Sequence, residues 1–385
     1  MLTRRDLIRA SAALLGSARL RRAAGQLAEG ANAGVSLVQH FTHSYLEDVS
    51  PDGTKVCIED WQKSYQTFVW PNPPWRRKQP DQGSNQLRVL ELGTWKSIYT
   101  GRFQSQVACS SFFADGQALF LQTSSYPTRQ LAVVDLRTGE STKRADAVVP
   151  KAVHLMYATG GRTLLLDDFD GTTGRTESLA LLDLPDYRER ARVAYATQPR
   201  APKSWEWALY FSADRKTVAY TFDDIVVCRR TEDLAPLWTR RIDPRLKGVH
   251  YLAVSADGGA VAAAVSDHHR PYEDYYTVIY DGRSGAEVAR LPICGSYAMA
   301  ISPDAKLLGV GEVRFATLFV HIYGLPSGAL KSSLIVGTAP NGPHQFLSLG
   351  FTTTHGIEFT SDGQYVIASS GLGTKVWKLG ELARS

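Results

Sequence analysis

Val254-Ser255-Ala256-Asp257-Gly258 is the end of an apolar strand running into a tight turn, and close copies of it recur along the chain. They are Val49-Ser50-Pro51-Asp52-Gly53, Phe113-Ala114-Asp115-Gly116, Phe211-Ser212-Ala213-Asp214, Ile301-Ser302-Pro303-Asp304 and Phe359-Thr360-Ser361-Asp362-Gly363. A weaker copy, Ala158-Thr159-Gly160-Gly161, fills the one gap that is otherwise too long. Asp accepts backbone N–H bonds inside such a turn, and the Gly after it takes a positive φ where a Cβ would clash. With Gly160 in the Asp slot, the anchors stand at 52, 115, 160, 214, 257, 304 and 362, about 52 residues apart on average. Seven units at that period, none able to bury its sheet faces alone, predict a ring of radially stacked blades.

A second column of strands agrees. After each anchor comes an alternating segment, such as Gln130-Leu131-Ala132-Val133-Val134-Asp135 or Thr277-Val278-Ile279-Tyr280-Asp281, and the others centre on Val89, Leu181, Val227, Val320 and Val376. Period-2 alternation on both sides of each turn reads as half-buried antiparallel strands. The expected fold is all-β, one seven-bladed β-propeller of four-stranded antiparallel blades over residues 33–383. Six units have room for an outer strand, such as Glu287-Val288-Ala289-Arg290, and the seventh does not. Gly34-Val35-Ser36-Leu37-Val38-Gln39 precedes the first unit without a blade of its own, so residues 34–39 are expected to close the ring on the last blade. No convincing helix pattern follows residue 30.

This repeat resembles the WD40-like propeller superfamily in its divergent bacterial Ser-Pro-Asp-Gly form, over nearly all of residues 33–383. It departs from true WD40 repeats, since no Gly-His pair opens the blades and only Val376-Trp377-Lys378 approaches the Trp-Asp ending. The His–Ser–Trp network of that family therefore does not carry over. The resemblance implies a fold and no particular activity. Seven-bladed relatives by resemblance include lactonases, which close on carboxylate and imidazole side chains, and quinoprotein-type dehydrogenases.

Thr3-Arg4-Arg5-Asp6-Leu7-Ile8-Arg9 resembles the twin-arginine export consensus, and an apolar stretch and small residues near Ala23-Ala24-Gly25 follow it. Residues 1–24 read as a signal peptide, which implies a bacterial protein that is periplasmic or secreted. An amphipathic N-terminal helix is the structural alternative. The segment also explains the formal charge of +5: it holds six Arg and one Asp, and without it the 43 bases and 38 acids become 37 of each. A neutral mature chain argues against a nucleic-acid partner. The composition, 44% hydrophobic and 21% charged, is globular. No run of 18 apolar residues spans a membrane. Cys57, Cys109, Cys228 and Cys294 are scattered without metal or redox spacing and read as buried small hydrophobes.

Function is sought in the long connections, because loops on a rigid scaffold carry it. Residues 61–85 form one insertion, with Trp61, Trp70, Trp75, Arg76 and Arg77 among prolines, and residues 337–355 form another. The first either stacks a ring and pairs an anion or folds its own Trp residues over the propeller mouth. A third connection carries His268, His269 and Tyr272. Counting seven residues back from each anchor gives Tyr45, Ala108, Val153, Trp207, His250, Tyr297 and His355, five of them aromatic or imidazole. Convergence of His250 and His355, or of His268 and His269, would suit a transition metal, whereas packing between blades is the plainer reading. Asp168-Phe169-Asp170-Gly171 with Glu177 partly matches a calcium loop, but its first ligand position is Leu166. No cofactor is predicted. Serine-hydrolase elbow, zinc-protease, P-loop and dinucleotide fingerprints are absent. The leading expectation is an exported binding module recognising a protein, a cell-envelope component or a small ligand on its loop-rich face. The alternative is a channel-mouth enzyme of lactonase-like or quinoprotein/metal-dependent oxidoreductase type. That reading uses His250 and His355, with Trp207, Tyr297 and Glu358 nearby.

Overall fold

In five blades a Ser or Thr hydroxyl bonds the anchor carboxylate and accepts the backbone N–H five residues on. Ser50 reaches Asp52 at 2.5 Å and Lys55 N at 2.8 Å, and Ser212 reaches Asp214 at 2.5 Å and Thr217 N at 3.0 Å. Ser255 with Asp257 and Ala260, Ser302 with Asp304 and Leu307, and Thr360 with Asp362 and Tyr365 repeat the arrangement. The residue after the Asp has the positive φ that the motif demands, from 63° to 70° at Gly53, Gly116, Gly258 and Gly363.

The computed structural model describes residues 34–42, 44–60, 85–103, 107–123, 131–144, 153–159, 163–170, 175–194, 209–222, 225–242, 249–266, 275–293, 298–314, 317–338, 356–370 and 373–384. These residues form seven four-stranded antiparallel sheets, a seven-bladed β-propeller. From the axis outward, blade 1 is Ser44–Val49, Lys55–Asp60, Asn85–Glu91 and Ser97–Phe103. Blade 2 is Val107–Phe112, Ala118–Thr123, Leu131–Asp135 and Ser141–Arg144, and blade 3 is Val153–Ala158, Thr163–Asp170, Arg175–Asp183 and Arg188–Ala194. Blade 4 is Leu209–Phe211, Thr217–Phe222, Ile225–Arg230 and Pro236–Arg241, and blade 5 is Val249–Val254, Ala260–Ser266, Tyr275–Asp281 and Glu287–Leu291. Blade 6 is Met299–Ile301, Leu307–Arg314, Thr317–Gly324 and Ala329–Thr338, and blade 7 begins with Ile357–Phe359, Tyr365–Ser370 and Gly373–Lys378. Each third strand coincides with the alternating segment read from the sequence.

Ser36–Thr42 supplies the outer strand of blade 7, pairing antiparallel with Gly373–Lys378 from Ser36 opposite Lys378 to Thr42 opposite Gly373. Ring closure is as expected, with the strand displaced a few residues along the chain from 34–39. Phe41 explains the displacement: it is buried among Leu46, Ile58, Leu90, Ile367 and Val376, between the last blade and the first, whereas Leu37 is 52% exposed.

The core is not one mass but a set of layers, each joining two neighbouring blades. Cys57, Leu87 and Val89 of blade 1 meet Phe112, Leu119 and Leu121 of blade 2. Leu165 and Leu181 of blade 3 meet Phe211, Val218 and Tyr220 of blade 4 in the same manner. The inner strands are therefore buried on both faces, as in Lys55–Asp60 and Tyr365–Ser370, and not on one face as the alternation read from the sequence implied.

Several finer expectations are corrected. Asp168 and Asp170 of the partial calcium loop lie in a strand that pairs antiparallel with Arg175–Asp183, which contains Glu177, and Gly171 lies outside the described residues. Asn85 opens a strand and Gly337 and Thr338 end one, so neither lies in an insertion; 61–84 and 339–355 lie outside the described residues. Cys57 and Cys228 are buried and unbridged, and burial pushes both thiols up, that of Cys228 to about 12. Cys294 lies outside the described residues, and Cys109 falls in a strand. Among the described residues no helix is long and apolar enough to cross a membrane.

The closure strand gives a direct test. Phe41→Ala is expected to cost about 3 kcal/mol in urea unfolding, the usual range for a truncated buried Phe. Leu37→Ala, on the same strand but exposed, is expected to cost under about 0.5 kcal/mol.

Candidate functional site

Of the residues singled out in the sequence, Trp61, Trp70, Trp75, Arg76, Arg77, Trp207, His268, His269, Tyr272, Tyr297 and His355 lie outside the described residues. His250 is placed by its backbone. It is the extra residue of a β-bulge in the inner strand of blade 5, between Val249 opposite Val265 and Tyr251 opposite Ala264. Ala108 is the equivalent bulge residue in blade 2. In blade 1, however, the bulge falls at Glu47, and Tyr45 is paired regularly opposite Glu59. Positions counted seven back from the anchor are therefore not equivalent, because a bulge shifts every preceding side chain to the other face.

What the inner strands do bring together is a set of polar groups at the propeller axis. Asp48, four residues before its anchor, is 3% exposed. Its carboxylate accepts from Phe112 N at 2.8 Å, from Val49 N at 2.9 Å and from the Arg215 guanidinium at 2.5 Å. Asp48 belongs to blade 1 and Arg215 to the anchor turn of blade 4, three blades round the ring, so this ion pair crosses the axis. Both side chains are 5% exposed. Arg215 stands in the slot where the sequence has Gly in five other blades, and it holds a left-handed φ of 58° there. Its head also lies 5.6 Å above the Phe211 ring.

Tyr210 of blade 4 and Glu358 of blade 7 occupy the same position in their units as Asp48 does. Burial pushes the Tyr210 phenol well up, and the charges of Tyr251 and Glu358 add to the shift. Glu358 is again three blades away, so its field reaches Tyr210 across the axis. Ser111, at this position in blade 2, has a buried hydroxyl without a hydrogen-bond partner among the described residues, as has the Nε of Arg215. The axis is thus polar, and one fully desolvated ion pair ties its two sides together.

A second polar group lies between blades 1 and 2. Glu47, re-aimed by its bulge, is 8% exposed and accepts from Ser110 Oγ at 3.4 Å, while Cys57 Sγ lies 3.5 Å from the same hydroxyl. Burial, and then the neighbouring charge of Glu59, push the Glu47 carboxyl well above the usual carboxylate range. Among the described residues no group of three or more His, Cys, Asp or Glu is placed to hold a metal ion.

No protein-family model matches the chain, and no curated protein matches it in sequence. In fold it is similar to the β-propeller domain of Cps50 (Swd1) from Myceliophteria thermophila. The TM-score is 0.56 at 10% identity, over 90% of this chain and 99% of that one. The fold is shared. At this identity the likeness extends to the ring of blades and no further, so the polar axis is argued from its own residues.

Sequence reasoning passed over Asp48, Arg215, Glu47, Tyr210 and Tyr251. One signal for them was legible, namely a charged residue, Arg215, in the Gly slot of an otherwise regular turn. Arg215→Gly relieves about 1 kcal/mol of left-handed strain but leaves Asp48 buried and unpaired, at about 3–5 kcal/mol. A net loss of roughly 2–4 kcal/mol in denaturant unfolding is expected, although Gly is the residue the turn prefers.

Glu47 gives a test by pH. A carboxyl raised in the folded state opposes folding once the unfolded group ionises, so its penalty is absent below the ordinary carboxylate value and grows as pH rises above it. Glu47→Gln is expected to melt higher than the wild type at pH 8, with the two converging near pH 4. A constant difference across that range would place the cause elsewhere.

Proposed function

We propose that the protein is an exported binding module whose rigid ring presents long connections for recognition of a protein or cell-envelope ligand. The observation that carries this reading is that the whole described chain is spent on seven closed blades. The axis of that ring is crossed by a desolvated ion pair, and among the described residues nothing resembles a nucleophile–base–acid constellation at the axis. What remains for recognition are the connections, including 61–84 with its three Trp and Arg76-Arg77-Lys78. The Arg4-Arg5 segment supports export, and the balanced charge of the remainder supports a ligand that is not a polyanion.

The channel-mouth enzyme stays as the second reading because His250 is a bulge residue, and bulges re-aim side chains next to active sites. One experiment addresses the leading proposal. The full chain is produced in a twin-arginine-competent bacterium, fractionated and photo-crosslinked from a probe at position 75. Wild type should appear in the periplasm with a defined crosslinked partner, Arg4→Lys/Arg5→Lys should stay in the cytoplasm, and Arg76→Ala/Arg77→Ala, with the probe still at 75, should preserve export and melting but remove the partner. A crosslink pattern indifferent to these two arginines would overturn the binding assignment, and export of the double Lys variant would overturn the route.

A further inference from the structure

We infer that the propeller axis binds a fixed internal water, a small neutral ligand that both donates and accepts and that joins blades 1, 2 and 4. Two polar groups there are orphaned. Among the described residues, Arg215 Nε and Ser111 Oγ are buried and have no hydrogen-bond partner. Arg215 is 4% exposed and Ser111 1%, so neither is served by bulk solvent. Leaving such groups unpaired is costly, and folded proteins satisfy them with protein atoms or with ordered water.

Both groups lie beside one carboxylate. Asp48 Oδ2 accepts from Phe112 N at 2.8 Å and from a terminal nitrogen of Arg215 at 2.5 Å. Phe112 N belongs to the peptide bond with Ser111, so sharing that oxygen brings the Arg215 head up to Ser111 from across the axis. Strand alternation turns the serine the right way. Ser110 faces blade 1, where it bonds Glu47, and Phe112 packs there with Cys57 and Leu87. Ser111 stands between them and faces the other side, the side on which Phe113 packs against Ala158 and Leu164 of blade 3. Blade 4, from which Arg215 comes, follows blade 3 on that side. Asp48 Oδ1 completes the site. Among the described residues it accepts only from Val49 N, at 2.9 Å, so it can take a further donor.

Arg215 Nε thus offers a donor, Asp48 Oδ1 an acceptor, and Ser111 Oγ either one, since its hydroxyl rotates. About three such partners are what an internal water ordinarily takes. Charge selects water over an ion. The charges of Asp48 and Arg215 cancel, and that of Glu358 already reaches the axis from blade 7. An anion would be buried against two carboxylates, and a cation would be buried against the guanidinium. A water leaves the ion pair intact, because it uses Nε and Oδ1 and not the bond from the terminal nitrogen to Oδ2.

The test is a crystal structure of the full chain at a resolution that shows ordered water, from crystals kept in chloride and from crystals soaked in bromide. A density peak within hydrogen-bonding distance of Arg215 Nε and Ser111 Oγ is expected, equal in the two salts and without anomalous signal from bromide. Ser111→Val puts methyl groups where the water would lie and should lose the peak while Arg215 stays on Asp48. Ser111→Ala, the milder change, should keep a peak about twofold weaker, one of its three partners being gone. Cooperative melting of each variant shows that the ring still forms. The proposal is overturned if the wild-type axis shows no such peak, with Arg215 Nε and Ser111 Oγ bonded directly to protein atoms or not at all. It is overturned equally by a bromide signal at the site, or by a peak of undiminished height in whichever Ser111 variants fold.

Discussion

In five of the seven blades one hydroxyl sets the phase of what surrounds it. By accepting the N–H five residues on, Ser50, Ser212, Ser255, Ser302 and Thr360 fix the register of the inner strand against the second strand. In a sheet with period 2, a slip of one residue would turn every interblade side chain to the wrong face. Blade 2 shows what substitutes when the hydroxyl is missing. Phe113 occupies the slot and is buried against blade 3, while Asp115 still accepts from Gln117 N at 2.9 Å. Thr159 supplies the hydroxyl one position later in blade 3 and contacts Thr163. The register is the constant, and side-chain hydrogen bonding and apolar packing are two ways of holding it.

The fold was legible because its determinants are local and repeated. A turn with an Asp and a residue at positive φ, followed by alternating strands, needs no knowledge of distant contacts, and seven copies reinforce one another. Ring closure was legible by subtraction, since one strand was left over at the start and one was missing at the end. The last few residues of that strand were misplaced because Phe41 alone decides how far it runs, and its burial depends on residues more than 300 positions away.

The polar axis was not legible, for two physical reasons. Counting along the chain assumes equal numbers of residues per turn of the pattern, and the bulges at Glu47, Ala108 and His250 break that count differently in different blades. A column of aromatic and imidazole residues therefore mixed positions that face different neighbours. The Asp48–Arg215 pair joins residues 167 apart in sequence, and no spacing rule links two blades that meet only across the axis. Arg215 was nonetheless marked in the sequence as a breach of the local rule. A charged residue accepting left-handed strain in place of Gly implies that its side chain is needed somewhere.

That need has a consequence for recognition. Separating Asp48 from Arg215 would leave two buried charges unpaired, at about 3–5 kcal/mol, which corresponds to an open axis populated roughly once in a few hundred to a few thousand molecules. A ligand that had to part them would have its apparent affinity reduced by that fraction. Ligands that use the connections or the rim meet no such penalty, because the ring beneath them does not have to move. The same ion pair that stabilises the two sides of the ring against each other therefore directs binding away from the centre.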